Sequence, residues 1–199
     1  MADHAALFDL LAGLLAYPRA GYQEHVRRCR HALGDSEPAA AGQIAEFQSQ
    51  TQMLTPEDLE ELFVCTFEHN PPCALELGWH LFGENYERGA LLVWMRTQLR
   101  HFGLAESAEL PDHVTHALAV LGRMDESEAR DFAGECVLPV LDRLRVALEG
   151  KRNPYQYVIA ALNRVLTTRC GPARPRQLPI LGAPPYESGD TDRPCEVCL

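Results

Sequence analysis

Apolar residues recur at steps of three and four through nearly all of this 199-residue chain, and no stretch sustains alternation at a period of two. A helix repeats every 3.6 residues and a half-buried strand every two, so the pattern excludes sheets and barrels as the organising layer. Leu7, Leu10, Leu11, Leu14 and Leu15 fall on one face of a first helix, with Asp3 placed to cap it. Tyr22, Val26, Cys29 and Leu33 form a second stripe, and a looser helix over 39–53 turns Ile44 and Phe47 inward. In "TPEDLEELF", Thr55 caps, Pro56 suits the first helical position, and Glu57 and Asp58 face the positive end of the dipole.

After the Pro71-Pro72 break a helix is predicted from about Glu84 to Phe102, burying Leu91, Trp94, Met95, Leu99 and Phe102, with Gly103 ending it. "DHVTHALAVL" predicts a short helix with Val114, Ala117, Leu118 and Leu121 inward. The segment 127–148 is helical but kinked or split at Pro139. In "NPYQYVIAALNRVL", Asn153 caps and Pro154 takes the first position, ahead of a stripe of Val158, Ile159, Leu162, Val165 and Leu166. With helices averaging about 11–12 residues, the expectation is an all-α bundle of roughly seven to nine helices. It occupies residues 1–170; residues 171–199, rich in Pro and Gly and ending in a CxxC, read as an extended or disordered tail.

The chain carries 18 basic and 28 acidic residues, a net charge of −10. Nucleic acid and anionic membrane surfaces call for basic patches, so neither is expected as a partner. The apolar part of the opening segment is far short of the ~20 residues a bilayer requires, and it lacks the basic start of an export signal. Seven cysteines in such a chain read as reduced thiols in the cytoplasm.

The stretch "FEHNPPCALELGWHLFGENYERG", from Phe67 to Gly89, concentrates the groups that could carry chemistry. His69, Cys73, His80 and Glu84 are candidate metal ligands, but their spacings of four and seven are not those of a tight ligand pair. The two prolines also disfavour a helix that would align His69 with Cys73. Cys195 and Cys198 form a CxxC without the strand-to-helix setting that activates one, and without a second pair to complete a zinc site. There is no GxSxG and no phosphate loop. In "ELPDH", Asp112 and His113 read either as an acid–base pair or as the first turn of a helix begun by Pro111.

Taken together, Phe67, Asn70, Pro71, Cys73, the run Leu77–Glu84, and Arg88-Gly89 resemble the nitrate reductase delta subunit family. This is the NarJ branch of the TorD/DmsD group of molybdoenzyme assembly chaperones. "ELPDH", Glu109 to His113, and the opening "LLAGLLAYP" add to the likeness, which runs from about residue 7 to 166. The resemblance implies an all-helical, cytoplasmic, non-enzymatic protein without a cofactor of its own, as a monomer or weak homodimer. It would bind the apo catalytic subunit of a nitrate-reductase-like enzyme, often by its N-terminal peptide, and assist molybdenum cofactor insertion. On that reading Trp79, Leu81 and Phe82 are expected to give apolar contacts to the client peptide. His80, Glu84, Glu109, Pro111, Asp112 and His113 would complete its binding site. An imidazole ordinarily titrates near neutral pH, so His113 with Asp112 is expected to tune release. The rival readings are a small metal-dependent enzyme built on His69, Cys73, His80 and Glu84, and a redox or metal adaptor acting through Cys195 and Cys198.

Overall fold

A computed structural model describes residues 4–175, and they are all-helical, as expected. The α-helices are α1 (His4–Gly13), α2 (Tyr22–Leu33), α3 (Pro38–Thr51), α4 (Pro56–Phe63), α5 (Leu77–Phe82), α6 (Tyr86–His101) and α7 (Val114–Leu121). They are followed by α8 (Glu126–Phe132), α9 (Leu138–Leu148) and α10 (Tyr155–Cys170). A π-turn, Val64–Glu68, continues α4; a second, Ala133–Val137, joins α8 to α9 in one rod; Pro71–Cys73 is a 3₁₀ turn. The expected tail, with Leu178, Ile180, Leu181 and the Cys195–Cys198 pair, lies outside the described residues beyond 175, and so does the Asp3 cap.

The local start signals act as the sequence implies. Thr55 and Asp58 form a reciprocal capping box on α4, and Asp125 and Glu128 form another on α8. The Asn153 carboxamide oxygen accepts from the Tyr155 N–H at 2.9 Å. Its amide donates to Thr66 Oγ1 at 2.7 Å, so this cap also ties α10 to the first π-turn.

α10 is the central element, packed against α3 and α9, while α1 lies on α2 and α7. Eight of its residues are buried, from Tyr155 through Leu162 to Cys170. At about 1.5–3 kcal/mol per large apolar side chain, that stripe outweighs any surface ion pair. The Asp9–Arg123 bridge between α1 and the turn after α7, at 2.8 Å with both side chains partly exposed, is therefore orientation more than stability. Tyr155 centres an aromatic cluster, with ring centroids 5.1 Å from Phe47, 6.0 Å from Phe63 and 4.8 Å from Phe67. Of the expected α6 core residues, Leu91, Met95 and Leu99 are buried, whereas Trp94 and Phe102 are half-buried, Trp94 lying against Phe132.

Pro139 shapes the chain one turn before itself. Leu138 N–H bonds the Ala133 carbonyl in the π pattern, and Pro139 has no N–H to offer the Gly134 carbonyl. That orphaned oxygen accepts instead from the Arg174 N–H at 2.8 Å, while Arg174 Nη2 bonds Asp131 at 2.6 Å. The chain after α10 thus repairs the break, which stays a π-turn in a continuous rod.

Candidate functional site

The two sequence blocks that carry the resemblance meet at α5. This six-residue helix, from Leu77 to Phe82, was not among the expected elements; it is too short to show a period. It is held from outside. Leu77 N–H bonds the Asp112 carbonyl at 3.0 Å, Val114 N–H bonds the Leu75 carbonyl at 2.8 Å, and Glu76 and His113 form an antiparallel bridge. Asp112 Oδ2 then accepts from the Gly78 N–H at 2.7 Å, across 34 positions of sequence. A Cβ on Gly78 would lie 2.7 Å from that oxygen and 2.9 Å from Arg88 Cγ, so the close approach requires glycine.

Asp112 is therefore neither at the edge of a groove nor in the first turn of a helix begun by Pro111. It is fully buried, Pro111 is buried beside it, and α7 starts at Val114 with His113 as its cap. His113 Nδ1 accepts from the Thr115 N–H at 3.3 Å and lies 2.7 Å from Thr115 Oγ1. The expected Asp112–His113 acid–base pair does not form, because each side chain is committed to a different backbone amide. His116 completes the loop, bonding the Leu110 carbonyl at 2.9 Å and meeting the Ser107 hydroxyl at 3.0 Å.

The remaining candidates distribute around this knot. Trp79 is half-buried; its indole N–H donates to the Pro71 carbonyl at 3.3 Å, and the Arg88 guanidinium carbon sits 5.9 Å from its ring centre. His80 is half-buried, its Nε2 donating to the Ala74 carbonyl at 2.7 Å, and its own carbonyl accepts from Arg143. Leu81 and Phe82 lie half-buried against the core, and Glu84 and Glu109 are exposed.

Two clefts flank the junction; of the candidates, His80 lines one, and Glu109 and His113 line the other. One, about 450 Å³, is bounded by Pro72, His80, Asp142, Arg143, Val146 and Ala147, and is mostly apolar. Val146 is 59% exposed there, an open apolar side chain on α9. The other, about 260 Å³, has Phe63, Phe67, Ala74 and Leu75 as its apolar lining, with Glu68, Glu76, Glu109 and His113 around it. That Phe63, Phe67, Glu68 and Glu76 line one cleft was not foreseen; the π-turn that carries Phe67 and Glu68 has no sequence signature.

Burial governs the electrostatics. It pushes the Asp112 carboxyl above the usual range, against the opposing pull of the Gly78 N–H and the Arg88 charge. Asp112 Oδ1 and Arg88 Nε are each buried without a hydrogen-bond partner among the described residues. Burial, with His116 adding to it, depresses His113 to about 4. The expectation that His113 titrates near neutral pH is thereby overturned, since its buried ring stays uncharged from pH 6 to 8. Burial likewise lowers His80 and raises the Cys73 thiol. His69 is exposed and Cys73 buried, and no group of three or more His, Cys, Asp or Glu among the described residues is placed to share a metal ion.

The family model of the nitrate reductase delta subunit matches residues 31–161, a span that includes both sequence blocks. The chain is 26% identical over 163 residues to the nitrate reductase molybdenum cofactor assembly chaperone NarJ of Escherichia coli strain K12. It is equally similar to the protein of that name from Escherichia coli O157:H7. Each alignment covers 80% of this chain and 69% of the relative. No helix among the described residues is long and apolar enough to cross a membrane.

Proposed function

The chain belongs to the nitrate reductase delta subunit family, and from that premise we propose that it is an assembly chaperone for a nitrate-reductase-like molybdoenzyme. It binds the apo catalytic subunit in the cytoplasm, chiefly through that subunit's N-terminal peptide. It keeps the subunit open to molybdenum cofactor insertion. It works as a monomer or weak homodimer, makes and breaks no covalent bond, and holds no cofactor itself. The observation that carries the reading is the family match over both signature blocks. Supporting it, an amphipathic peptide helix seats its apolar side in a groove, and both clefts beside α5 offer apolar lining next to charge. A chain at −10 also accelerates encounter with a basic leader.

Within this reading the nine candidate residues take two kinds of role. Trp79, His80, Leu81, Phe82, Glu84, Glu109 and His113 are half-buried, exposed or placed at a cleft, and they meet the client. Pro111 and Asp112 are buried and act by holding α5 in place.

The test is capture by the full chain from cells making the molybdoenzyme without its cofactor. The large catalytic subunit should co-isolate, molybdenum-free. Turnover of a small molecule by the purified chain, with no large subunit retained, would overturn the proposal.

A further inference from the structure

Trp79 is the largest side chain among the nine candidates, and apolar packing does not hold it. Leu81, Phe82 and Trp94 are half-buried against the core; Trp79 is half-buried too, yet it is not among the side chains packed on that core. Two contacts place its ring. The indole N–H reaches the Pro71 carbonyl at 3.3 Å, and the Arg88 guanidinium carbon lies 5.9 Å from the ring centre.

Arg88 reaches the indole over Gly78. A Cβ there would lie 2.9 Å from Arg88 Cγ and 2.7 Å from Asp112 Oδ2, so the arginine stem and the carboxylate meet above a bare Cα. Asp112 Oδ2 is taken by the Gly78 N–H, whereas Oδ1 and Arg88 Nε are each buried without a partner among the described residues. Arg88 forms no ion pair there either. Its charge still draws the Asp112 carboxyl down against burial, and the attraction is mutual. The cation is thus shared, between a buried carboxylate on one hand and the electron-rich face of an indole at the surface on the other.

We infer that Arg88 is a positioning residue for the client contact made by Trp79: Asp112 holds the guanidinium over Gly78, and the guanidinium holds the indole ready for an apolar side chain of the client. The inference rests on the chaperone reading for the use of Trp79, and on these contacts alone for the coupling of Asp112, Arg88 and Trp79. A ring already fixed in one rotamer loses less freedom on binding, and tryptophan is a residue that often dominates an interface. Lysine serves this role less well, because an ammonium cannot lie flat against the indole.

The chain has two tryptophans, so Trp94→Phe leaves Trp79 as the one indole reporter. In that background Arg88→Met keeps the stem and removes the charge. The fast local part of the Trp79 fluorescence anisotropy decay should grow, and Arg88→Lys should restore part of the order. Asp112→Asn keeps an oxygen for the Gly78 N–H and removes the charge, so it should loosen the ring in the same direction. Combined with Arg88→Met it should add nothing, because both act through one guanidinium. Glu87→Gln, exposed beside Arg88, should leave the ring unchanged. Retained exchange protection in α10 shows that a variant is folded. Unchanged Trp79 motion in folded Arg88→Met, or additive loosening in the double variant, would overturn the coupling; should Asp112→Asn not fold, Arg88→Met and Arg88→Lys decide alone.

Capture of the catalytic subunit by the full chain tests the use of the ring. Arg88→Met should weaken capture about two- to fivefold, as for one partly exposed cation–π contact. It should weaken capture no further in Trp79→Ala, which has no ring left to position. Equal weakening with and without Trp79, or capture indifferent to Arg88→Met, overturns the positioning role and leaves the chaperone reading intact. A ring loosened by Arg88→Met, with no subunit captured even by the parent chain, removes the chaperone reading instead and leaves the coupling.

Discussion

Around Tyr155, rings from α3, α4, the first π-turn and α10 meet by apolar packing, with the Asn153–Thr66 hydrogen bond at its margin, whereas at α5 nearly every fastening is polar. Both regions are buried, and they teach different things about what burial does. In the first, any well-shaped apolar surface contributes, and the cost of error is a cavity. In the second, the Asp112 carboxyl, the Gly78 amide and the paired peptide groups must each find one partner, and the cost of error is a buried polar atom left alone. Dispersion and water exclusion set the strength of the aromatic centre; geometry sets the identity of the junction.

The sharpest way to break the comparison is at the aromatic centre. Phe47→Ala should cost about 3–5 kcal/mol in urea unfolding, because a fully buried ring is removed from between Tyr22 and Tyr155. A loss no larger than that of a surface substitution would show that the centre collapses onto the space and is not the anchor described. The second probe is acid. The depressed His113 pKa contributes stability that is present above its ordinary 6.5 and is lost as pH falls toward about 4. Asp112, raised by burial, has the opposite sign: its contribution is present below its ordinary 3.8 and lost as pH rises through its folded value.

His113→Asn keeps a capping oxygen and removes the titration. It should flatten the pH 6.5-to-4 stability profile by about 2–3 kcal/mol, read by thermal unfolding across that range. An unchanged profile would mean the imidazole is solvated. The smallest expected effect is Gly78→Ala, about 1–3 kcal/mol, because the methyl meets Asp112 and Arg88 below van der Waals distance. Hydrogen exchange should speed in α5 and residues 105–113 while the amides of α10 keep their protection. Uniform loss of protection would merge the two regions into one cooperative unit.

The same contrast explains what could be read in the sequence. The stripes of α2, α4 and α10 and their local caps at Thr55 and Asn153 are legible because each signal and its consequence lie within one or two turns. α5 is illegible because its anchor, Asp112, is 34 residues away. "ELPDH" suggests a helix start at Pro111, yet the cap is His113, a residue type rarely used there. The candidate set around Trp79 and His113 was reachable from the signature blocks. The acidic cleft was not, since Glu68, Glu76 and Glu109 come together only once the π-turn and the Glu76–His113 bridge exist.

The Gly134 carbonyl has a practical bearing on where this chain can be shortened. A boundary drawn at Cys170, where the apolar period ends, would discard the one amide that answers that oxygen and strand an acceptor midway along the α8–α9 rod. Truncation after Pro175 spares it. The proline that interrupts one helix thereby dictates how much sequence must be kept behind another.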